Sequence, residues 1–217
     1  AEHWKSLNLE FDGFYTGFLG SFEQIDIVTE VCEKLRGNKT LLIVDPVMAD
    51  NGVLYKIFPP NFPEGMRKLC SKANVIIPNI TEAVFLLGED YKEGPYTRDY
   101  IENLLRRLSA LGPKQVVLTG VYFDSGSLGA ASYDAETGEI SYSFEKKIDG
   151  YFHGTGDVFG SALVAALLKG KPLPFATNTA VEFTVKSIER TKQAGTDIRF
   201  GVNFEEGLLE LAKALSE

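Results

Sequence analysis

The 217-residue sequence predicts an α/β sandwich, a mostly parallel sheet covered by helices on both faces, with a late antiparallel hairpin. Three observations carry that expectation. Thr40–Val44 (TLLIV), Val75–Ile77 and Gln115–Leu118 (QVVL) are apolar without alternation, as strands buried on both faces of a parallel sheet are. Between them lie stretches with apolar residues at helical spacing. After the third run come two strand-like segments, Ser127–Tyr133 and Glu139–Phe144, joined by a turn at Asp134–Gly138 (DAETG).

Each element has its own signal. Ala1–Leu9 reads as the tail of a helix running into a strand, and with no Met at residue 1 we expect further residues ahead of it in the natural protein. Phe11–Thr16 is aromatic and β-rich, closed by Gly17 and Gly20-Ser21. Phe22–Leu35 places Ile25, Val28, Val31, Cys32 and Leu35 on one helical face, and Gly37 ends it. Asn61–Ser71 is helical with Pro63 in its first turn, Thr81–Leu87 is helical up to Gly88, and Thr97–Leu111 is a longer amphipathic helix. Three helices close the chain, at Asp157–Lys169, Phe175–Thr191 and Phe204–Leu215. No repeat, linker or low-complexity stretch divides residues 1–217, so one domain is expected.

Composition narrows the function. Hydrophobic content of 44% and a charged fraction of 24% fit a globular protein. A net charge of −8, with no basic cluster beyond the pairs Arg106-Arg107 and Lys146-Lys147, argues against a nucleic-acid surface. Apolar runs fall short of a membrane span and no signal peptide is visible. Cys32 and Cys70, in helix-like apolar contexts, suggest reduced thiols and a cytoplasmic location.

Candidate chemistry gathers after the strand-like runs, where ligands of such sheets collect. Gly154-Thr155-Gly156-Asp157 opens a helix, and a glycine-rich turn there aims backbone N–H groups at an anion. Asp157 would repel a phosphate, so it reads either as an N-cap or as a base that takes a proton from an attacking nucleophile. Asp45 and Asp50 follow the first buried run, Asn79 and Glu82 the second, and Thr119-Gly120 the third. The three carboxylates and the amide oxygen suit magnesium, a hard ion that keeps several waters. Each also has a plainer reading: a turn before Pro46 for Asp45, the Asp50-Asn51-Gly52 turn, a helix cap with a first-turn acid for Asn79 and Glu82, and a strand terminus for Thr119-Gly120. Tyr55 reads as packing or as a pocket wall. His3 and His153 are too few and too far apart to suggest a metal site.

DPVMADNGVLY (Asp45–Tyr55), PNITEAVFLLG (Pro78–Gly88) and GTGDVFGSALVAALL (Gly154–Leu168), in that order, resemble the pyridoxal kinases of the ribokinase superfamily, and FDGFYTGFLGSFEQ (Phe11–Gln24) is similar to the segment ahead of that family's Asp-Pro-Val strand. The resemblance implies a three-layer ribokinase-like sandwich, ATP and Mg2+ as cofactors, a vitamin B6 vitamer as acceptor and a homodimer. By position it implies Asp157 as catalytic base and Gly154, Thr155 and Gly156 as the anion hole. Asp45, Asp50 and Glu82 become acids that hold or orient the metal, with Asn79 in the same signature. Thr119 falls at the nucleotide, with Gly120 beside it, and Tyr55 on a loop that closes over the phosphates. Ile77 stands where some members carry a threonine that helps hold a cation, which leaves a monovalent cation (K+ or Na+) open. The family's opening strand and the serine that grips the pyridine ring have no counterpart in residues 1–217.

The reaction expected is phosphorylation of the vitamer's 5′-hydroxymethyl group by ATP. The nearest rival is a hydroxymethylpyrimidine (phosphate) kinase of thiamine synthesis, whose members usually carry Cys at the position of Asp157. A rival of another class is a non-catalytic nucleotide-binding fragment.

Overall fold

A computed structural model of the chain describes residues 1–216. Its strands are β1 (Gly13–Thr16), β2 (Leu41–Val44), β3 (Ala49–Asp50), β4 (Val53–Leu54), β5 (Val75–Ile76), β6 (Gln115–Val121), β7 (Ser127–Asp134) and β8 (Ile140–Lys146). Six of them form one sheet in the order β1-β2-β5-β6-β7-β8. The first four are mutually parallel, and β7 and β8 add antiparallel. The predicted late hairpin is therefore present, paired along its length from Ser127↔Lys146 to Tyr133↔Ile140.

The unbroken apolar runs have a direct structural cause. In β2, Leu42 and Val44 enter one core and Ile43 the other; in β6, Val116 and Leu118 separate from Val117 in the same way. The first core is closed by α2 (Phe22–Leu35), α3 (Phe62–Cys70), α4 (Ile80–Leu87) and α5 (Arg98–Ser109), and the second by α6 (Thr155–Leu168), α7 (Leu173–Ala194) and α8 (Leu208–Ser216). Each fully buried Leu, Ile or Val contributes roughly 1.5–3 kcal/mol of transfer free energy, so two-sided burial anchors the strands whose tips carry the site. Cys32 and Cys70 are free and buried in the first core. Among the described residues no helix is long and apolar enough to cross a membrane.

Several boundaries differ from expectation. The first helix, α1, spans Glu2–Ser6, but no strand follows it until Gly13. α6 opens at Thr155 rather than Asp157, because Gly154 takes the left-handed conformation (φ 76°) that ends the preceding loop. α7 starts at Leu173, with Pro174 in its first turn, and runs to Ala194 before Gly195 (φ 62°) closes it. The segment 204–215 is divided into a 3-10 turn at Glu205–Gly207 and α8. The turn expected around Asp50 is present and closes a small hairpin, β3–β4, that was not expected; Asn51 (φ 50°) and Gly52 (φ 76°) supply the two positive φ angles of a type I′ connection.

Candidate active site

The N-terminus of α6 has no side-chain cap. Val158 N–H donates to the Gly154 carbonyl at 3.0 Å, while the N–H groups of Thr155, Gly156 and Asp157 precede any helical acceptor. Thr155 Oγ1 turns back to donate to the Phe152 carbonyl at 3.3 Å. At Gly156 an added Cβ would meet open space, so an approaching anion is unobstructed. Unpaired N–H groups at a helix end, aided by the helix dipole, are the kind of donors that can receive an anion. Asp157 occupies the third helical position and is solvent-exposed, which removes the N-cap reading. A second segment supports the back of this loop, where Gly201 Cα lies 4.0 Å from the ideal Cβ position of Gly154. That segment is tied to α7 by Arg190 Nε donating to the Asn203 carbonyl (2.9 Å) and by Asn203 N–H donating to Thr191 Oγ1 (2.7 Å).

The N-terminus of α4 is built differently. Asn79 accepts the Glu82 N–H at 2.9 Å and Glu82 Oε2 accepts the Asn79 N–H at 2.9 Å, a complete capping box. Glu82 Oε1 accepts the Met48 N–H at 3.1 Å, and Asn79 Nδ2 donates to the Ala49 carbonyl at 2.9 Å. The pair thus fastens the β5 tip to the β3–β4 hairpin. The cap reading is correct for both residues, and both also line the cavity described next.

A cavity of about 460 Å³ lies beyond the carboxyl ends of β2, β5 and β6. Asp45, Asp50, Asn79 and Glu82 stand on one side, and Thr155 and Gly156 at the helix end. Thr119 and Gly120 form part of its wall from inside β6, which continues to Val121, so the strand-terminus reading is corrected: the register shifts between Thr119 and Val121, and Gly120 (φ 74°) occupies the bulge. Tyr55, just past β4, lines the cavity, is 38% exposed and stacks on Phe58 at 6.4 Å. Asp50 accepts from Asn51 N–H (2.9 Å) and Asn51 Nδ2 (3.0 Å), so the turn reading holds alongside its place in the wall. Gly154 and Asp157 do not line the cavity.

Burial raises the Asp45 carboxyl to about 7; the Tyr15 hydroxyl, donating to Asp45 Oδ2 at 3.4 Å, opposes the rise and the Asp157 charge adds to it. Burial also pushes Glu82 well above the usual carboxylate range, reinforced by the Asp45 charge and opposed by backbone N–H donors. Tyr55 is pushed up to about 12, first by burial and then by the charges of Glu82 and Asp50. Among the described residues no three His, Cys, Asp or Glu side chains cluster tightly enough to hold a metal ion alone. Carboxylate and amide oxygens of this kind would suit magnesium, a hard ion that keeps several of its waters.

Sequence reasoning missed the other wall. Val181, Val185 and Ile188 of α7, with Leu128, Ile148 and Phe152, make an apolar slot, and Lys146 and Lys147 bring positive charge beside it. The α7 residues read as an ordinary helix face in sequence, and only the fold turns them toward the strand tips. Tyr15 was missed as well. Its phenol is held up by burial and by the Asp45 and Asp157 charges.

Comparison with known proteins places the chain in a family. The pyridoxine kinase of Bacillus subtilis is 32% identical over 187 residues, which cover 83% of this chain and 65% of that protein. This chain therefore spans just under two thirds of that relative's length. A crystal structure of a candidate phosphomethylpyrimidine kinase from Bacteroides thetaiotaomicron, in a form with pyridoxal, superposes with a TM-score of 0.91 at 35% identity, covering 97% of this chain and 74% of the other. The pyridoxal kinase of Staphylococcus aureus in complex with AMP-PCP and pyridoxal superposes at 0.70 with 26% identity, covering 85% and 64%. A family model described as phosphomethylpyrimidine kinase matches residues 6–201, and the chain belongs to that family.

Proposed function

We propose that this chain carries the nucleotide site and catalytic base of an ATP-dependent kinase that phosphorylates the 5′-hydroxymethyl group of a vitamin B6 vitamer. The observation that carries the reading is the juxtaposition of an uncapped helix end with buried strand-tip acids around one cavity with an apolar slot. The slot of Val181, Val185 and Ile188 suits an adenine ring, and the N–H groups of Thr155, Gly156 and Asp157 suit the transferred phosphoryl group. Asp157, exposed beside that helix end, takes the proton of the acceptor hydroxyl as its oxygen attacks in line. Tyr55 on the β3–β4 hairpin covers the phosphates, and Thr119 and Gly120 border the nucleotide. Magnesium, when bound, neutralises phosphate charge; Asp45 and Asp50 are the acids to hold it or its waters, while Glu82, with both oxygens engaged by backbone N–H groups, orients them. The monovalent cation, the homodimer, the single domain and a cytoplasmic location belong to the same reading.

A second reading rests on a specific observation: both the matching family model and the pyridoxal-bound relative are described as phosphomethylpyrimidine kinases. Hydroxymethylpyrimidine presents the same hydroxymethyl group on a flat heteroaromatic ring. An ADP-release assay with pyridoxal, pyridoxamine, pyridoxine and hydroxymethylpyrimidine separates the readings. Turnover on a B6 vitamer supports the first, turnover on the pyrimidine alone the second, and ATP binding without turnover on any of them leaves only a nucleotide-binding function.

A further inference from the structure

The geometry points to Tyr15 as a positioning residue that fixes the Asp45 carboxylate against the first turns of α6, and so sets its distance from Asp157. The inference rests on the kinase reading above. Tyr15 belongs to β1, the edge strand of the sheet, and pairs with Ile43, two residues before Asp45. Its side chain leaves the face covered by α6, as the neighbouring contact shows: a Cβ added to Gly13 would lie 3.0 Å from Leu168 of that helix. From there the phenol reaches two elements at once.

On the sheet side its hydroxyl donates to Asp45 Oδ2 at 3.4 Å. That is longer than the usual O–H···O range of about 2.5–3.0 Å, so the contact orients the carboxylate more than it anchors it. On the helix side the hydroxyl sits where Gly160 has no side chain: a Cβ built there would stand 2.1 Å from Tyr15 Oη. Gly160 lies three residues after Asp157, on the same face of α6. One hydroxyl therefore spans the β2 tip and the turn next to the proposed base. Asp45 and Asp157 are acids on neighbouring elements, and a neutral donor wedged beside them selects one rotamer for Asp45. Glycine at 160 is the space that wedge requires, since even an alanine methyl would expel it.

The test uses Tyr15→Phe, which keeps the ring and removes the hydroxyl, and Gly160→Ala, which displaces it. In the ADP-release assay each variant should lower kcat by ~10–100-fold, the scale of a misplaced group in a proximity-dependent step, with KM for Mg·ATP changed less than about threefold. The double variant should be no slower than the slower single one, because both act on one contact. Wild-type kcat in Tyr15→Phe, a loss confined to KM, or losses that multiply in the double variant would overturn the assignment. Should the parent chain transfer phosphate to no acceptor, the kinase reading fails by itself, and thermal unfolding still decides the contact. Gly160→Ala should then lower the melting temperature less in the Tyr15→Phe background than alone, whereas equal losses in the two backgrounds would dismiss Tyr15 as the wedge.

Discussion

Two helix N-termini reach the same side of the sheet and are finished in opposite ways. At α4, Asn79 and Glu82 close the end with their own side chains, and Glu82 gives its second oxygen to Met48 N–H. At α6, Gly154 contributes no side chain and three N–H groups stay open. A closed end is structural: its acid fixes the loop that carries Asp45 and the hairpin with Tyr55. An open end is receptive, because its unmet donors and its dipole await an anion. An acidic residue in the first turn is common to both helices, and only the cap geometry tells Glu82 from Asp157.

The two helix ends differ most in what their acids do. Asp157→Asn should lower turnover by ~10²–10⁴-fold with nucleotide affinity nearly unchanged, read from initial rates and from calorimetric titration of Mg·ATP. Near-parental turnover would place the base elsewhere. Glu82→Ala should act on the fold instead, costing on the order of 2–4 kcal/mol in urea unfolding, because buried N–H donors of Asn79 and Met48 lose their acceptor. An unchanged unfolding midpoint would mean that α4 is not held by its cap.

The buried acids also make stability depend on pH. Asp45 and Glu82 hold their protons to higher pH in the fold than in the unfolded chain. Below the usual carboxylate range both states are protonated and the folded state carries its full stability. As pH climbs toward about 7 the unfolded chain releases protons the fold would retain, and stability falls. The melting temperature of the protein without nucleotide or divalent ions should therefore drop by several degrees between pH 5 and pH 8, on the order expected for partly offset buried carboxyls. Asp45→Asn should flatten the slope. A profile that rises over this interval would contradict the burial assigned to both acids.

Much of this was legible in sequence, for physical reasons. Strands buried on two faces write unbroken apolar runs, so Thr40–Val44 and Gln115–Leu118 announced both the sheet and its tips. The Asn79-x-x-Glu82 spacing announced a capping box, yet spacing alone could not show that the pair also binds the hairpin. The β3–β4 hairpin was readable and overlooked: Asn51-Gly52 is the strongest short hairpin signal, but strands of two residues carry too little alternation to support it. The bulge at Gly120 left no trace, since a glycine inside or just past a strand looks the same. Tyr15 lay beyond reach because its partners, Asp45 and Gly160, are distant in sequence and meet only when β1, β2 and α6 are assembled.

The brace behind the anion loop ties a distant segment to the site. Gly201 rests against the His153–Gly154 turn from far along the chain, held there by Arg190 and Asn203. The chain between these segments contains α6 and α7, so the brace is a long-range contact whose loop-closure cost falls on that helical pair. The bracing segment has few buried side chains of its own, the mark of a locally labile unit. Under the proposed function, phosphate bound at the open end of α6 would draw stability into the 196–207 stretch, far along the chain from the glycines of that loop.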